Sequence, residues 1–133
     1  MPEFIRYYIP NIFVDKKANC EIKDAFISAL GATANQLLVA GIPGKKLVIL
    51  SGCVSSSGIV TAITFKSDSG ANAVIKRAYW TPLNTGGGQL GGVTEMYFNP
   101  TGIFRCDAGK GLFIDNSAAV LAQVAVSYIE VNV

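Results

Sequence analysis

The chain has 133 residues, a formal net charge of +2 and a charged fraction of only 15%, while half of its residues are hydrophobic. Its 11 Lys and Arg residues are scattered, which argues against a nucleic-acid partner, and no apolar run approaches the roughly 18 residues of a membrane span. Since about 25% of the residues in a typical soluble domain are charged, this composition predicts one domain with apolar surface buried between subunits, away from membranes.

The absence of histidine limits the chemistry that the chain can perform. It removes the usual general base, the histidine-activated nucleophiles and the commonest metal ligand. Cys20, Cys53 and Cys106 are too far apart in sequence for a zinc site, so we interpret them as reduced small hydrophobic residues. The glycine-rich stretches at residues 41–46 and 86–92 lack the pattern of a phosphate-binding loop. We therefore expect no enzymatic activity, no cofactor and no metal.

Residues 1–18 differ from the rest of the chain, because aromatic and β-branched side chains crowd them while Pro2 and Pro10 interrupt regular strand pairing. This composition predicts an extended N-terminal arm in front of a single domain at residues 19–133. Two interpretations remain open: the arm is an edge strand of its own domain, or it docks on a neighbouring subunit. The candidate capsid or subunit contacts are Phe4, Tyr7, Tyr8, Ile9, Ile12 and Phe13.

The first half of the domain predicts several short strands. Residues 20–30 fit both helical and strand spacing and are interpreted as a strand, and a short apolar run follows at residues 36–40. The runs at residues 46–55 and 58–67 predict a hairpin around a serine-rich turn. In the first of these runs both faces are apolar, with Val48, Leu50 and Val54 on one and Leu47, Ile49 and Cys53 on the other.

Three further strands are predicted after that hairpin. Residues 73–80 form the first, with Val74, Ala78 and Trp80 on its core face and Trp80 as an anchor of the core. A glycine-rich segment at residues 81–92 then leads to the runs at residues 93–98 and 102–106.

The last stretch consists of a short apolar strand from residue 109, a polar turn at residues 115–117 and a long closing strand within residues 118–133. Both faces of the closing strand are apolar, so both are expected to be covered, either by another part of the chain or by another copy. One face carries Val120, Ala122, Val124, Val126 and Tyr128. Counting all runs predicts an all-β antiparallel sandwich or jelly roll of about eight to ten strands, preceded by the arm.

The turn and strand patterns within residues 36–131 resemble those of small β-sandwich virion structural proteins of tailed bacteriophages. The matching stretches are residues 38–41, 44–50, 63–67, 86–88, 109–112, 117–119 and 126–131. This resemblance implies a sandwich, often trimeric, that serves as a capsid decoration (cement) protein or as part of a fibre or spike. It also implies the major capsid protein as partner and a place on the capsid surface of a virion assembled in the host cytoplasm. No catalytic residue is carried over.

Three functional hypotheses follow: a capsid cement protein, a fibre or spike head that binds a host receptor, and a carbohydrate-binding module. The aromatic arm and the low charge favour the cement protein. Tyr79, Trp80 and Tyr97 are the aromatic residues that a carbohydrate platform would use, and we interpret them instead as core or subunit contacts.

Overall fold

The computed structural model describes residues 21–29, 31, 34–57, 60–81 and 93–133. Nine strands and one 3₁₀ turn, Gly70–Asn72, lie in these ranges. The strands are β1 Lys23–Ala29, β2 Gln36–Val39, β3 Lys45–Ser56, β4 Ala62–Ser67, β5 Val74–Trp80, β6 Val93–Met96, β7 Phe104–Arg105, β8 Leu112–Asn116 and β9 Ala122–Asn132. The all-β prediction and the expected number of strands are confirmed, while the predicted arm and its boundary lie outside the described residues.

The strands form two antiparallel sheets that pack face to face. The first has the order β1-β9-β3-β6, with β7 also paired to β3, and the second has the order β2-β8-β4-β5. Consecutive strands alternate between the two sheets, with two exceptions: β5 lies in the same sheet as β4, and β7 lies in the same sheet as β6. With the two-residue β7 set aside, this is the strand order of a jelly roll.

The predicted hairpin between the runs at residues 46–55 and 58–67 is wrong. β3 pairs with β9 along almost its whole length, from Lys45 opposite Asn132 to Ser56 opposite Ala122, and β4 lies in the other sheet. The connection from β3 to β4 therefore crosses the sandwich. A polar turn between two β-rich runs is compatible both with a hairpin in one sheet and with a crossover between two sheets. The long apolar β9 offers β3 more cross-strand contacts than β4 can.

The core lies between the sheets, and β9 contributes the face that was predicted for it. Ala122, Val124, Val126 and Tyr128 are buried there. From the second sheet the main contributor is Phe65 on β4, which is fully buried. Its ring packs edge-on against Tyr79 at a centroid distance of 5.9 Å and in a tilted arrangement against Phe104 at 5.4 Å. Each such side chain contributes about 1.5–3 kcal/mol through its burial.

A β-bulge in β3 changes which side chains face the core. Ile49 lies opposite Tyr128, but the next pair joins Ser51 to Ser127, so Leu50 is an extra residue. After the bulge the alternation is shifted by one position. The core therefore receives Leu47, Ile49 and Val54, whereas Cys53 is only half-buried. The prediction that Val54 shares a face with Val48 and Leu50 is wrong for this reason.

The outer face of β9 is covered over only half its length. Ile129 and Val131 are buried with Val48 and Leu50 in a second, smaller cluster. The connection between β6 and β7 runs beside this cluster, since the amide of Ile103 donates to the carbonyl of Ile49 at 2.7 Å. Leu121 and Gln123, at the other end, are exposed. The chain itself thus covers the outer face at the C-terminal end, whereas coverage of its start by another copy stays a prediction.

Trp80 does not anchor the core. It ends the edge strand β5 with 67% of its surface exposed, and Val74 and Ala78 are exposed as well. Tyr79 instead packs towards the core from the other face of β5. The two faces of β5 carry similar numbers of apolar residues. The alternating pattern therefore predicted where the strand lies but not which of its faces points to the core.

A buried polar network ties the two sheets together where the chain crosses between them. The Thr81 hydroxyl accepts hydrogen bonds from the Ser56 hydroxyl and from the amide of Thr61, both at 2.9 Å. The Thr61 hydroxyl donates to Asn116 Oδ1 at 2.5 Å. These groups are buried, and their hydrogen bonds are made within the protein. Removal of one side chain therefore leaves its former partners without a hydrogen bond, because water does not reach them.

Asn116→Leu is expected to destabilise the fold by about 2–4 kcal/mol. The Asn116 amide donates to the carbonyls of Gly31 at 2.9 Å and Val120 at 3.0 Å, besides accepting from Thr61. Urea unfolding of the two proteins measures the difference. Asn132→Leu, at an exposed position at the end of β9, is the matched control and should change stability by no more than about 0.5 kcal/mol. Equal losses in the two variants would contradict the role of the network.

Candidate interaction surfaces

The six predicted contact residues Phe4, Tyr7, Tyr8, Ile9, Ile12 and Phe13 all lie outside the described residues. Their role therefore stays a prediction. The described part of the chain adds two surfaces with exposed large apolar side chains, one on the outer face of the first sheet and one at the edge where β5 and β6 meet.

The first surface is a shallow groove of about 240 Å³ across β1, β9 and β3, which we call the Phe26 groove. Its lining residues are Asp24, Ala25, Phe26, Gly52, Ala125, Val126 and Ser127. Phe26 is 63% exposed and lies opposite the small Ala125 in the β1–β9 register. A large ring beside small neighbours leaves a concave apolar surface that a partner side chain can fill.

Polar contacts hold the edge strand β1 beside this groove. The Ser127 hydroxyl donates to Asp24 Oδ1 at 2.6 Å, and Lys23 Nζ forms an ion pair with Glu130 Oε1 at 3.2 Å. The hydrogen bond from Lys23 to Glu130 raises the pKa of the lysine. Both contacts join β1 to β9, so Phe26 is presented from a strand whose position is fixed.

The second surface, the β5–β6 edge, consists of the exposed residues Trp80, Val93, Tyr97 and Phe98. The hydroxyl of Thr94 donates to the backbone carbonyl of Trp80 at 2.7 Å, which joins the end of β5 to β6. Tyr97 follows β6 and is 81% exposed. For Trp80 and Tyr97 the interpretation as core residues is wrong, whereas their use in contacts with other molecules stays a prediction.

Two of the three cysteines lie among the described residues. Burial raises the pKa of the Cys106 thiol to about 12, so it stays protonated and inert at neutral pH. Cys53 is also a free thiol. Among the residues that the structure describes, no group of three or more Cys, Asp or Glu side chains is placed to hold a metal ion.

The exposed apolar surface predicts self-association, and we expect a homotrimer. Among the described residues, seven large hydrophobic side chains are more than half exposed, which is typical of a subunit with partners: Phe26, Ile75, Trp80, Val93, Tyr97, Phe98 and Val133. Multi-angle light scattering at micromolar concentration should give about three times the chain mass of 14.0 kDa. A stable species of one chain mass would contradict this prediction.

In the described ranges no helix has the length and apolarity needed to cross a membrane. A scan against protein-family models found no match, and searches of curated proteins and of solved structures found none either.

Proposed function

We propose that this chain is a virion structural protein, a capsid decoration (cement) protein that stabilises a bacteriophage head. The observation that supports it best is the Phe26 groove, an apolar docking surface on the strand that directly follows the aromatic N-terminal arm. A jelly roll is also one of the folds used by viral capsid domains, although this is an analogy at the level of fold.

In this proposal the chain works by bridging. The sandwich provides a rigid body, the Phe26 groove accepts an apolar group of the major capsid protein or of a second copy, and the arm reaches an adjacent subunit. Twenty residues precede the first described residue, Glu21, and span at most about 70 Å when extended, which is enough to reach a neighbour. Bridging of this kind requires no catalytic group.

The experiment adds purified protein to phage heads that lack it and measures co-sedimentation and the resistance of the heads to heat. Phe26→Asp should weaken binding by at least about tenfold, since it replaces an apolar contact with a charge. Ser28→Asp, two residues further along the same exposed face of β1, introduces the same charge away from the groove lining and should bind normally. If the unmodified protein does not sediment with heads, the proposal fails.

A second candidate, a carbohydrate-binding module, is favoured by the exposure of Trp80 and Tyr97. Flat aromatic rings in contact with solvent are suited to stacking on sugar rings, and lectins are another group that uses the jelly roll. A glycan-binding screen followed by calorimetry tests this role. Under this alternative Trp80→Ala loses binding at least about tenfold while Ile75→Ala, an exposed position on the same edge strand, does not. Equal binding by both variants would reject it.

A further inference from the structure

Lys66, Asn35 and Asp115 form a compact cluster at the second sheet. Lys66 Nζ lies 2.5 Å from Asn35 Oδ1 and 3.0 Å from Asp115 Oδ1. The backbone amide of Asn35 donates to the same Asp115 oxygen at 2.7 Å. An amine, a carboxamide and a carboxylate are thus held together by residues from β4, from the position just before β2 and from β8.

The amide group of Asn35 is oriented by two donors. Its Oδ1 accepts from Lys66 Nζ and from the backbone amide of Gly70 at 3.3 Å. Since a carbonyl bond is about 1.2 Å long, Asn35 Cγ lies within roughly 3.7 Å of Lys66 Nζ, so a rotation of the carboxamide would present this carbon to the amine. The Gly70 amide lies where it can stabilise negative charge that develops on Oδ1 during attack at Cγ.

Burial distinguishes this lysine from an ordinary surface lysine. Lys66 is only 8% exposed, whereas Asn35 is exposed. An exposed carboxamide lets a small leaving group reach solvent. The backbone of Asn35 is left-handed, with φ of 56°, a conformation that asparagine tolerates better than most residues do.

We propose that Lys66 and Asn35 are joined by an isopeptide bond that forms without any added enzyme or cofactor, with Asp115 as the general base. This modification is independent of whether the protein acts on a capsid or on a carbohydrate.

The reaction is a transamidation that needs no oxidant or reductant. The Asp115 carboxylate takes a proton from the Lys66 ammonium, and the neutral amine attacks Asn35 Cγ to form a new C–N bond. Asp115 then passes a proton from the attacking nitrogen to Asn35 Nδ2, the old C–N bond breaks, and ammonia leaves and takes up the remaining proton as ammonium. The products are a secondary amide between the two side chains, one ammonium ion and the Asp115 carboxylate in its original state.

Such a bond would tie the residue just before β2 to β4 across β8. The two residues are 31 positions apart in sequence, so the cross-link closes a loop that includes β2, β3 and most of β4. A covalent closure of this length restricts the unfolded chain, which is the way in which a disulfide stabilises a fold.

Intact mass spectrometry of the denatured full-length chain tests the proposal directly. The mass should be about 17 Da below that calculated from the sequence, which corresponds to one lost ammonia. Tandem spectra of a tryptic digest should contain a branched peptide that joins residues 35 and 66, with no cleavage after Lys66. Lys66→Arg and Asp115→Asn should each restore the calculated mass.

Lys76→Arg is the matched control, because Lys76 also pairs with an aspartate, Asp107, at 2.9 Å and should keep the mass loss when replaced. An unmodified chain of the calculated mass would overturn the proposal, even if the variants failed to fold. A loss of about 18 Da would overturn it in favour of a Lys66–Asp115 bond formed with loss of water. Persistence of the 17 Da loss in Asp115→Asn would overturn the role of Asp115 as base.

Discussion

Val124→Asp is expected to abolish folding of the isolated chain. Val124 is completely buried in the middle of β9, between Ile27 of β1 and Val54 of β3 in the two adjoining registers. An aspartate there would place an unpaired charge inside the main core and remove the valine contacts, at a cost of several kcal/mol. Because a domain of this size is stable by only about 5–15 kcal/mol, most of that margin would be lost.

Circular dichroism and thermal unfolding of the soluble fraction measure this effect. The matched control is Gln123→Asp, which adds the same charge at the preceding position of the strand, where the side chain points to solvent. The control should fold and unfold much as the original chain does. If Val124→Asp unfolded at a temperature close to that of the control, the assignment of this face of β9 to the core would be contradicted.

Deletion of residues 1–17 is expected to leave the sandwich folded and oligomeric but to remove its attachment to phage heads. The deleted part contains seven large apolar side chains: Phe4, Ile5, Tyr7, Tyr8, Ile9, Ile12 and Phe13. Burying four of them on a neighbour would contribute about 6–12 kcal/mol, from which about 1–2 kcal/mol per ordered residue is subtracted. Ordering the ten residues from 4 to 13 therefore costs at least about as much as this burial contributes, so we expect ordering of the arm to depend on a partner.

The truncated and full-length chains are compared by circular dichroism, light scattering and co-sedimentation with heads that lack the protein. We expect matching spectra and oligomer mass, with co-sedimentation only for the full chain. A truncated chain that fails to fold would show that the arm is a strand of its own domain. Undiminished binding would place the attachment elsewhere, with the glycine-rich segment at residues 81–92 as the next candidate.

The two surfaces and the polar cluster differ in how far the sequence could have revealed them. Exposure of Trp80 and Tyr97 was hidden because an aromatic residue in a strand pattern is more often a core residue. The cluster of Lys66, Asn35 and Asp115 was even harder to recognise in the sequence, because Asp115 has the pattern of an ordinary turn residue and Lys66 that of the polar end of a strand. Asn35 and Asp115 are 80 positions apart, so no local pattern connects them.

The sequence by itself determined the all-β class, the approximate positions of the strands and the inner face of β9. These properties depend on alternation and turn residues, which act over a few positions. The tertiary structure decided that β3 pairs with β9 instead of β4, that the bulge at Leu50 shifts the face of Val54, and that Trp80 lies outside. Each of these depends on which distant strand offers the better cross-strand packing, and that competition cannot be evaluated from one stretch of chain because its free energy is a property of the assembled sheets.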